Sequence, residues 1–484
     1  MTVRNISCFC EKKTKIVATI GPVSESKEML EKMIKTGMNV ARLNFSHGAH
    51  QWHKKTINNI RQVSDKLGAN IGIMADLQGP RIRIATSGDV IARKGKELLV
   101  SDVRYRKSVS NMSADIFYLD YPGIIDCIKE GDTIMIEDGL IKLEVSKKSS
   151  NFLRTRVIDG GVIRNHKGVN LPDSDLNIGV VTKKDIDDLK MALENDVDFV
   201  ALSFVSCAKD INGLRKRMER ILGRKNDLPQ IVAKIERKEA INNLDEIIES
   251  TDVVMVARGD LGIEMDQSKV VIWQKEIIKK SLKKAKPVIV ATQMLNSMIE
   301  NPRPTRAEVS DVSNAVIDHA DAVMLSGESA NGKYPVESVK MMAEIIRNTE
   351  ESPFDDVYKY MDLHISSEYA TVVRSAYEIA KSYNVKAIAM ISLSGFTARL
   401  VSHFRPDQNI LVVTNRKKTF NQFSLVWGVC GYLFEDDKNL EDLIVKMLDQ
   451  TKKDKRLKTG DSVVVIIGRV LNGEKMRLVG IRKA

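Results

Sequence analysis

Short runs of small and β-branched residues alternate with helix-length amphipathic stretches eight times along this chain, and that alternation constrains the fold more than any other feature. A βα repeat demands parallel strands with crossover helices, because only a long connection returns the chain to the same end of a sheet. The first three units place strands at Lys15 to Ile20, Asn39 to Leu43 and Ile71 to Ala75, with helices Ser24 to Thr36 and Ala49 to Leu67 between them. The pattern resumes after Leu171 with strands Phe199 to Leu202, Gln230 to Ala233, Val253 to Val256, Val288 to Ala291 and Ala322 to Leu325. Eight such units predict an α/β fold built on a closed (β/α)8 TIM barrel, whose functional groups gather at the carboxyl ends of the strands.

Between Gly79 and about Asn170 the pattern changes to short alternating runs separated by Gly, Asp-Gly and Lys-Gly turns. These predict a small, β-rich antiparallel lid domain inserted into the barrel. Ser352 to Leu363 reads as a linker, and Ser367 to Ala484 starts a separate α/β pattern whose final strand spans Ser462 to Ile467. A chain of 484 residues exceeds one ordinary core. The expected division is 1–78 for the N-terminal segment and first part of the barrel, 79–169 for the lid, 170–350 for the rest of the barrel and 351–484 for a C-terminal α/β regulatory domain.

No apolar run reaches membrane-spanning length, and the first twenty residues mix Lys, Glu and Thr with short apolar steps, so a cytoplasmic protein without a membrane partner is expected. Cys8, Cys10, Cys127, Cys207 and Cys430 are scattered and odd in number, as free thiols are; Cys8 and Cys10 lack a second close pair to complete a metal site. Lys and Arg number 75 against 64 Asp and Glu, a formal charge of +11 that favours anionic partners. Only 5% of residues are aromatic and none interleave the basic runs, which argues against nucleic acid and for small phosphorylated substrates.

The strand ends carry the chemistry. Reading only those positions gives Arg42, Asn44, Ser46, His47, Asp76, Ser203, Lys234 with Glu236, Gly259 with Asp260, Thr292, and Ser326 with Glu328. Glu236 and Asp260 suit a divalent metal such as Mg2+, which takes one or two carboxylates and fills its other positions with water and substrate oxygens. Lys234 lies two residues before Glu236 on an extended segment, so both side chains face the same rim. Its charge would offset that of a transferring phosphoryl group or an enolate. Arg42 and Arg83 can each grip phosphate oxygens through two donors. The Gly259 N–H could receive a substrate carboxylate, and Thr292 could steer a proton or water toward a carbanion. A surface Lys–Glu pair and an ordinary threonine after a strand are the purely structural readings of the same residues.

Several stretches, taken in order, resemble the pyruvate kinase family from Lys13 to near Gly468. They are Thr19-Ile20-Gly21-Pro22, Ala41-Arg42-Leu43-Asn44-Phe45-Ser46-His47-Gly48, Asp76 with Gly79-Pro80, Lys167-Gly168-Val169-Asn170-Leu171-Pro172, Ser203-Phe204-Val205, Ala233-Lys234-Ile235-Glu236, Met255 to Gly262, Ala291 to Leu295 and Pro302 to Glu308. The resemblance implies a barrel, a mobile lid inserted after its third strand and a C-terminal regulatory domain, assembled as a homotetramer. It implies phosphoryl transfer from phosphoenolpyruvate to ADP and protonation of enolpyruvate, giving ATP and pyruvate in the last step of glycolysis. Glu236 and Asp260 would then hold Mg2+ or Mn2+, Lys234 would stabilise the phosphoryl group and enolate, and Thr292 would sit near the proton-delivery route. Ser203, Gly259, Asp260 and Thr292 would meet the substrate carboxylate and phosphate, while Arg42, Arg83, His47 and Lys167 would position phosphate or nucleotide.

At the positions of Gln78 and Arg81, many family members carry Lys and Glu and resemble potassium-requiring enzymes. Here Arg81 supplies a fixed cation, so catalysis is expected not to require potassium, although Asn44, Ser46, Asp76 and Leu77 match the monovalent-ion ligands. In the terminal domain Ser392, Ser394, Gly395, Phe396 and Thr397 lie between a strand and a helix, where a phosphate is well received. The resemblance makes them an effector site for a sugar phosphate or nucleotide monophosphate; a plain helix cap is the other reading. A metal-dependent barrel acting on a 2-oxo acid, such as an aldolase, would share the carboxylates but gives no reason for the lid with Arg42, Arg83 and Lys167. An RNA-binding module is the non-catalytic alternative, and strongly salt-dependent binding would mark it.

Overall fold

The computed structural model describes residues 12–109, 115–174, 179–355, 368–435, 440–471 and 474–484. Cys8, Cys10 and residues 356–363 of the expected linker lie outside the described residues. Strands Lys15–Thr19, Val40–Asn44, Gly72–Asp76, Phe199–Leu202, Gln230–Ile235, Val253–Ala257, Val288–Ala291 and Ala322–Leu325 pair in parallel, and the first pairs with both the second and the last, closing a barrel of eight. These runs are apolar on both faces because both faces are covered. Val17, Met74 and Phe199 fill the interior, while their neighbours Ile16, Ile73 and Val200 pack against the helices.

The helices follow their local signals. Ser26 accepts the Met29 N–H at 3.2 Å to start Lys27–Thr36, and Gly37, at φ 123°, ends it. Its buried face is Leu30, Met33 and Ile34, each worth roughly 1.5–3 kcal/mol of apolar burial. No helix among the described residues is long and apolar enough to cross a membrane.

Between the third and fourth strands the chain builds a second, smaller closed barrel of seven strands, with its own core around Ile84, Phe117, Ile134 and Leu143. The antiparallel expectation needs one correction: Glu97–Asp102 and Ile116–Leu119 run parallel. Val103–Tyr105 and Arg106–Val109 form helical turns that lengthen their connection, and a parallel pair requires such a crossover. At the Asp-Gly turn, Glu137, Asp138 and Gly139 all have positive φ, 55°, 56° and 87°.

The C-terminal sheet has five strands, in the order Val429–Leu433, Asn409–Thr414, Ala387–Ile391, Ser462–Leu471 and Glu474–Lys483. Its last strand is antiparallel, and sequence reading missed it. That edge segment mixes charged and apolar residues and is set by hairpin pairing, with Met476, Leu478 and Ile481 exposed. This C-terminal region of the chain docks against the amino ends of the barrel strands. Arg405 pairs with Asp321 at 3.0 Å, Asn421 donates to Asp198 at 2.9 Å, and the Lys15 ammonium donates to the Val429 carbonyl at 3.0 Å. Leu425 joins the barrel's interior cluster from below. Gly72 must lack a side chain there, since a Cβ would lie 2.3 Å from Ser424 Oγ and 2.8 Å from the Phe199 ring.

Candidate active site

The site grows from the opposite end of the barrel, where each strand releases its last residues into one cleft. Strand Gln230–Ile235 runs two residues beyond the expected end, so Lys234 lies within it and Glu236 follows directly. Extended geometry turns both toward the rim, and Lys234 Nζ meets Glu236 Oε1 at 2.7 Å. The same ammonium donates to Ser203 Oγ at 2.8 Å and lies 3.4 Å from Asp76 Oδ1. Ser203 in turn donates to the Leu77 carbonyl at 2.8 Å. Arg42 reaches Asp76 Oδ2 through Nε and Nη2, each at 2.7 Å, and spends Nη1 on Thr19 Oγ1 at 2.8 Å.

The charges set one another's protonation. Burial alone would raise the Asp76 carboxyl, but Lys234 and Arg42 outweigh it and hold Asp76 below its usual 3.8. Burial would likewise lower the Lys234 ammonium, yet Asp76, Glu236 and Asp260 raise it above its usual 10.5. Glu236 goes up, from burial first and from the like charge of Asp260, against the pull of Lys234. Its second oxygen accepts the Phe204 N–H at 2.8 Å.

Asp260 stands on the helical turn Arg258–Glu264, and its carboxylate makes no hydrogen bond or ion pair among the described residues. Next to it the Gly259 N–H donates to Thr292 Oγ1 at 2.8 Å, while that hydroxyl donates to the Ala291 carbonyl at 2.6 Å. Thr292 and Gln293 have φ of 70° and 54°. Left-handed backbone at a β-branched residue is an outlier that costs of order 1–3 kcal/mol and marks a functional turn.

Arg42, Asn44, Ser46, Asp76, Leu77 and Arg81 line one side of this cleft, and Ser203, Lys234, Glu236, Asp260, Thr292 and Ser326 complete it. Asn44 Oδ1 accepts the Ser46 N–H at 3.1 Å. Arg81 is exposed and makes no ion pair among the described residues. Glu328 lies beneath the rim, tying the Leu295 and Ser326 backbones at 3.0 and 2.7 Å. A wider cleft of 530 Å3 runs between the two barrels, bordered by Asp138, Gly259, Gln267 and Gln293, and it shares Arg81 and Asp260 with the first. Its size suits a small organic ligand.

Three expected residues lie outside the inner cleft. Arg83 donates to the His166 carbonyl at 3.0 Å, Lys167 pairs with Glu137 at 2.5 Å, and His47 is exposed on the loop after the second strand. Even so, partial burial and the Arg81, Arg83 and Arg42 cations lower the His47 imidazole, so these groups share one positive field. Ser392, Ser394, Gly395, Phe396 and Thr397 lie in the C-terminal half and border neither cleft. Gly395, at φ 76°, precedes helix Phe396–His403, and Thr419 Oγ1 donates to the Leu393 carbonyl at 2.9 Å. Phe204, Arg258 and Gln293 were missed; only their neighbourhood within the motif stretches pointed to them.

A divalent cation fits this donor set. No group of three or more His, Cys, Asp or Glu is gathered for a metal among the described residues, so nothing here closes around an ion as structural zinc sites do. Two neighbouring carboxylates, Asp260 without a partner among the described residues and Glu236 held by Lys234, suit a hard ion that keeps water and substrate oxygens.

Comparison with known proteins gives a consistent result. The family model described as the pyruvate kinase barrel domain matches residues 11–339, and the one described as the pyruvate kinase alpha/beta domain matches residues 370–476. A pyruvate kinase of Staphylococcus haemolyticus is 42% identical over 472 residues, 96% of this chain and 79% of that protein. One from Dictyostelium discoideum is 41% identical over 469 residues, 94% of this chain and 91% of that protein. A crystal structure of a pyruvate kinase from Cryptosporidium parvum superposes with a TM-score of 0.90 at 33% identity, covering 98% of this chain and 96% of that one.

Proposed function

The chain belongs to the pyruvate kinase family, and from that premise we propose how its own residues transfer the phosphoryl group of phosphoenolpyruvate to ADP. The reaction gives pyruvate and ATP in glycolysis, and the family depends on a divalent metal ion. The observation that carries the reading is the convergence on one cleft of Lys234, Glu236 and Asp260, with Lys234 held protonated by its carboxylate neighbours.

Arg42 and Lys234 receive the phosphoryl oxygens, and Asp76 keeps both side chains aimed at the cleft. Glu236 and Asp260 would hold Mg2+ or Mn2+, which supplies positive charge to the phosphoryl and enolate oxygens when bound. Lys234 adds a fixed charge where the enolate develops. Ser203 and Gly259 border the carboxylate end of the substrate, and Thr292 lies on the route by which a proton reaches the enolate carbon. ADP occupies the cleft between the barrels; Arg83, His47 and Lys167, which this reading assigns to phosphate or nucleotide positioning, lie outside its lining. Closure of the inserted domain excludes the water that competes with ADP.

The division at 78, 169 and 350 belongs to the same reading, as do a homotetramer, a cytoplasmic location and a phosphorylated effector at Ser392, Ser394, Gly395, Phe396 and Thr397. Arg81 stands where a bound cation would otherwise be drawn, beside the remnant of a monovalent-ion site at Asn44, Ser46, Asp76 and Leu77. Steady-state ATP formation, measured with and without Mg2+ and with and without potassium at constant ionic strength, tests these assignments together. Activity should vanish without a divalent ion and change little with potassium; a rise of more than about tenfold with potassium would show that Arg81 does not replace the ion.

A further inference from the structure

We propose that Arg258 is a positioning residue for proton delivery, holding Thr292 in the orientation from which the enolate carbon is protonated. This rests on the role given to Thr292 above. The side chain is 11% exposed and its guanidinium is spread over four partners: Nη1 donates to Asp311 Oδ1 at 2.7 Å and to Gln274 Oε1 at 3.4 Å, and Nη2 to the Thr292 carbonyl and to Met294 Sδ, both at 2.8 Å. The carbonyl it grips belongs to the first of two consecutive left-handed residues, neither of them glycine. Such backbone persists only where surrounding contacts over-determine it.

Sequence adjacency gives this contact its meaning. The side chain of Arg258 holds the Thr292 carbonyl, while the next residue, Gly259, donates its N–H to Thr292 Oγ1. One short stretch therefore clamps the threonine at both its main chain and its hydroxyl. If the carbonyl is released, the Thr292–Gln293 peptide can rotate toward ordinary φ, and the hydroxyl turns away from Gly259. Asp311, on helix Arg306–Ile317, neutralises the guanidinium and fixes its plane. Both terminal nitrogens are thus occupied by protein groups.

The two halves of the reaction can be read separately. In the protonation step the methylene carbon of the enolate takes a proton and the carbon–oxygen bond becomes the ketone of pyruvate. Run backward, that step exchanges the methyl hydrogens of pyruvate with solvent and needs no phosphoryl transfer. The full-length enzyme with Arg258→Met, Arg258→Lys or Thr292→Val is assayed for this exchange in deuterated water by NMR, and for kcat and the KM for ADP in ATP formation.

Arg258 also borders the cleft given to ADP, so Arg258→Met should slow exchange by up to about 100-fold, the loss that accompanies a ~1 Å misplacement, and by a clearly larger factor than it raises the KM for ADP, with the Mg2+ dependence near that of the native enzyme. Arg258→Lys, which keeps one donor, should recover part of the exchange. Native exchange in Arg258→Met, alongside its loss in Thr292→Val, overturns the proposal and leaves the role of Thr292 standing. Native exchange in Thr292→Val overturns that role and the proposal with it. A defect confined to the KM for ADP makes Arg258 a nucleotide contact instead, which also overturns it. If Arg258→Met does not fold, Asp311→Asn removes the charge that pins the guanidinium and is read by the same ratio of exchange to ATP formation.

Discussion

At the amino ends of the barrel strands Asp198 and Asp321 are as deeply buried as Asp76 and Glu236 are at the carboxyl ends, yet the two sets are finished differently. Below, Asp198 accepts from Arg61 at 2.7 Å, the Ile73 N–H at 2.8 Å and Asn421 at 2.9 Å, and Asp321 from Arg405 at 3.0 Å and the Val288 N–H at 2.9 Å. Above, Asp76 and Glu236 are paired too, with Arg42 and Lys234, but half-buried Asp260 beside them has no protein partner among the described residues, and burial first, then the Asp260 charge, raises Glu236. The lower acids fasten the C-terminal region to the barrel; above, the unpartnered Asp260 leaves charge for a ligand to complete. Neither burial nor the tally of donors separates the acids of the two ends, since Asp76 and Glu236 are paired as well; the unpartnered Asp260 beside them does.

The largest expected effect breaks the lower set. Arg405→Met strands the Asp321 charge in the interface and removes the stacking on Trp427 at 4.8 Å. It should lower unfolding free energy by about 3–5 kcal/mol, read as a reduced denaturant midpoint, while turnover of the folded fraction stays near native. Lys234→Met acts on the upper set. Its kcat should fall by roughly 10²–10³, equivalent to about 2.7–4 kcal/mol of transition-state stabilisation, with a smaller change in denaturant midpoint because Arg42 still pairs with Asp76. If the first variant lost turnover and the second lost stability, the distinction between the two ends would collapse.

The smallest effect sharpens the comparison through pH. Asp76 is depressed in the folded state, so its charge adds stability that is present above the usual 3.8 and is lost as pH falls through the lower folded value. Lys234 is raised, so its contribution is complete below its usual 10.5 and lost only as pH climbs beyond that through the raised value. Neither titrates near neutrality. The stability difference between the native chain and Asp76→Asn should therefore be flat from about pH 5 to 9 and shrink only in stronger acid, as urea midpoints across that range would show. A difference that varies near pH 7 would mean that the Asp76–Arg42–Lys234 set does not hold its charges.

The barrel was legible because period and spacing are local properties: eight apolar runs at βα intervals leave little choice of topology, and a two-residue step was enough to bring Lys234 and Glu236 to one rim. Features created by distant contacts were not legible. Gly259 and Gly262 argue against a helix, yet Arg258–Glu264 is helical, with the Gly259 N–H directed at Thr292. Left-handed backbone at Phe204, Thr292 and Gln293 carries no residue signature, because side chains of these types avoid it until tertiary contacts impose it. The parallel pair in the inserted barrel and the terminal edge strand were missed for the same reason: their partners, not their own composition, decide their state.

The reach of Leu425 into the underside of the barrel means that the larger half is not a self-sufficient oily unit. Its bottom tier is plugged by a residue encoded more than a hundred positions after the rim acids Glu236 and Asp260. Cutting the chain after helix Pro335–Glu350 would leave a greasy drain open to water. Whatever else the C-terminal region does, the barrel has to retain it as a stopper.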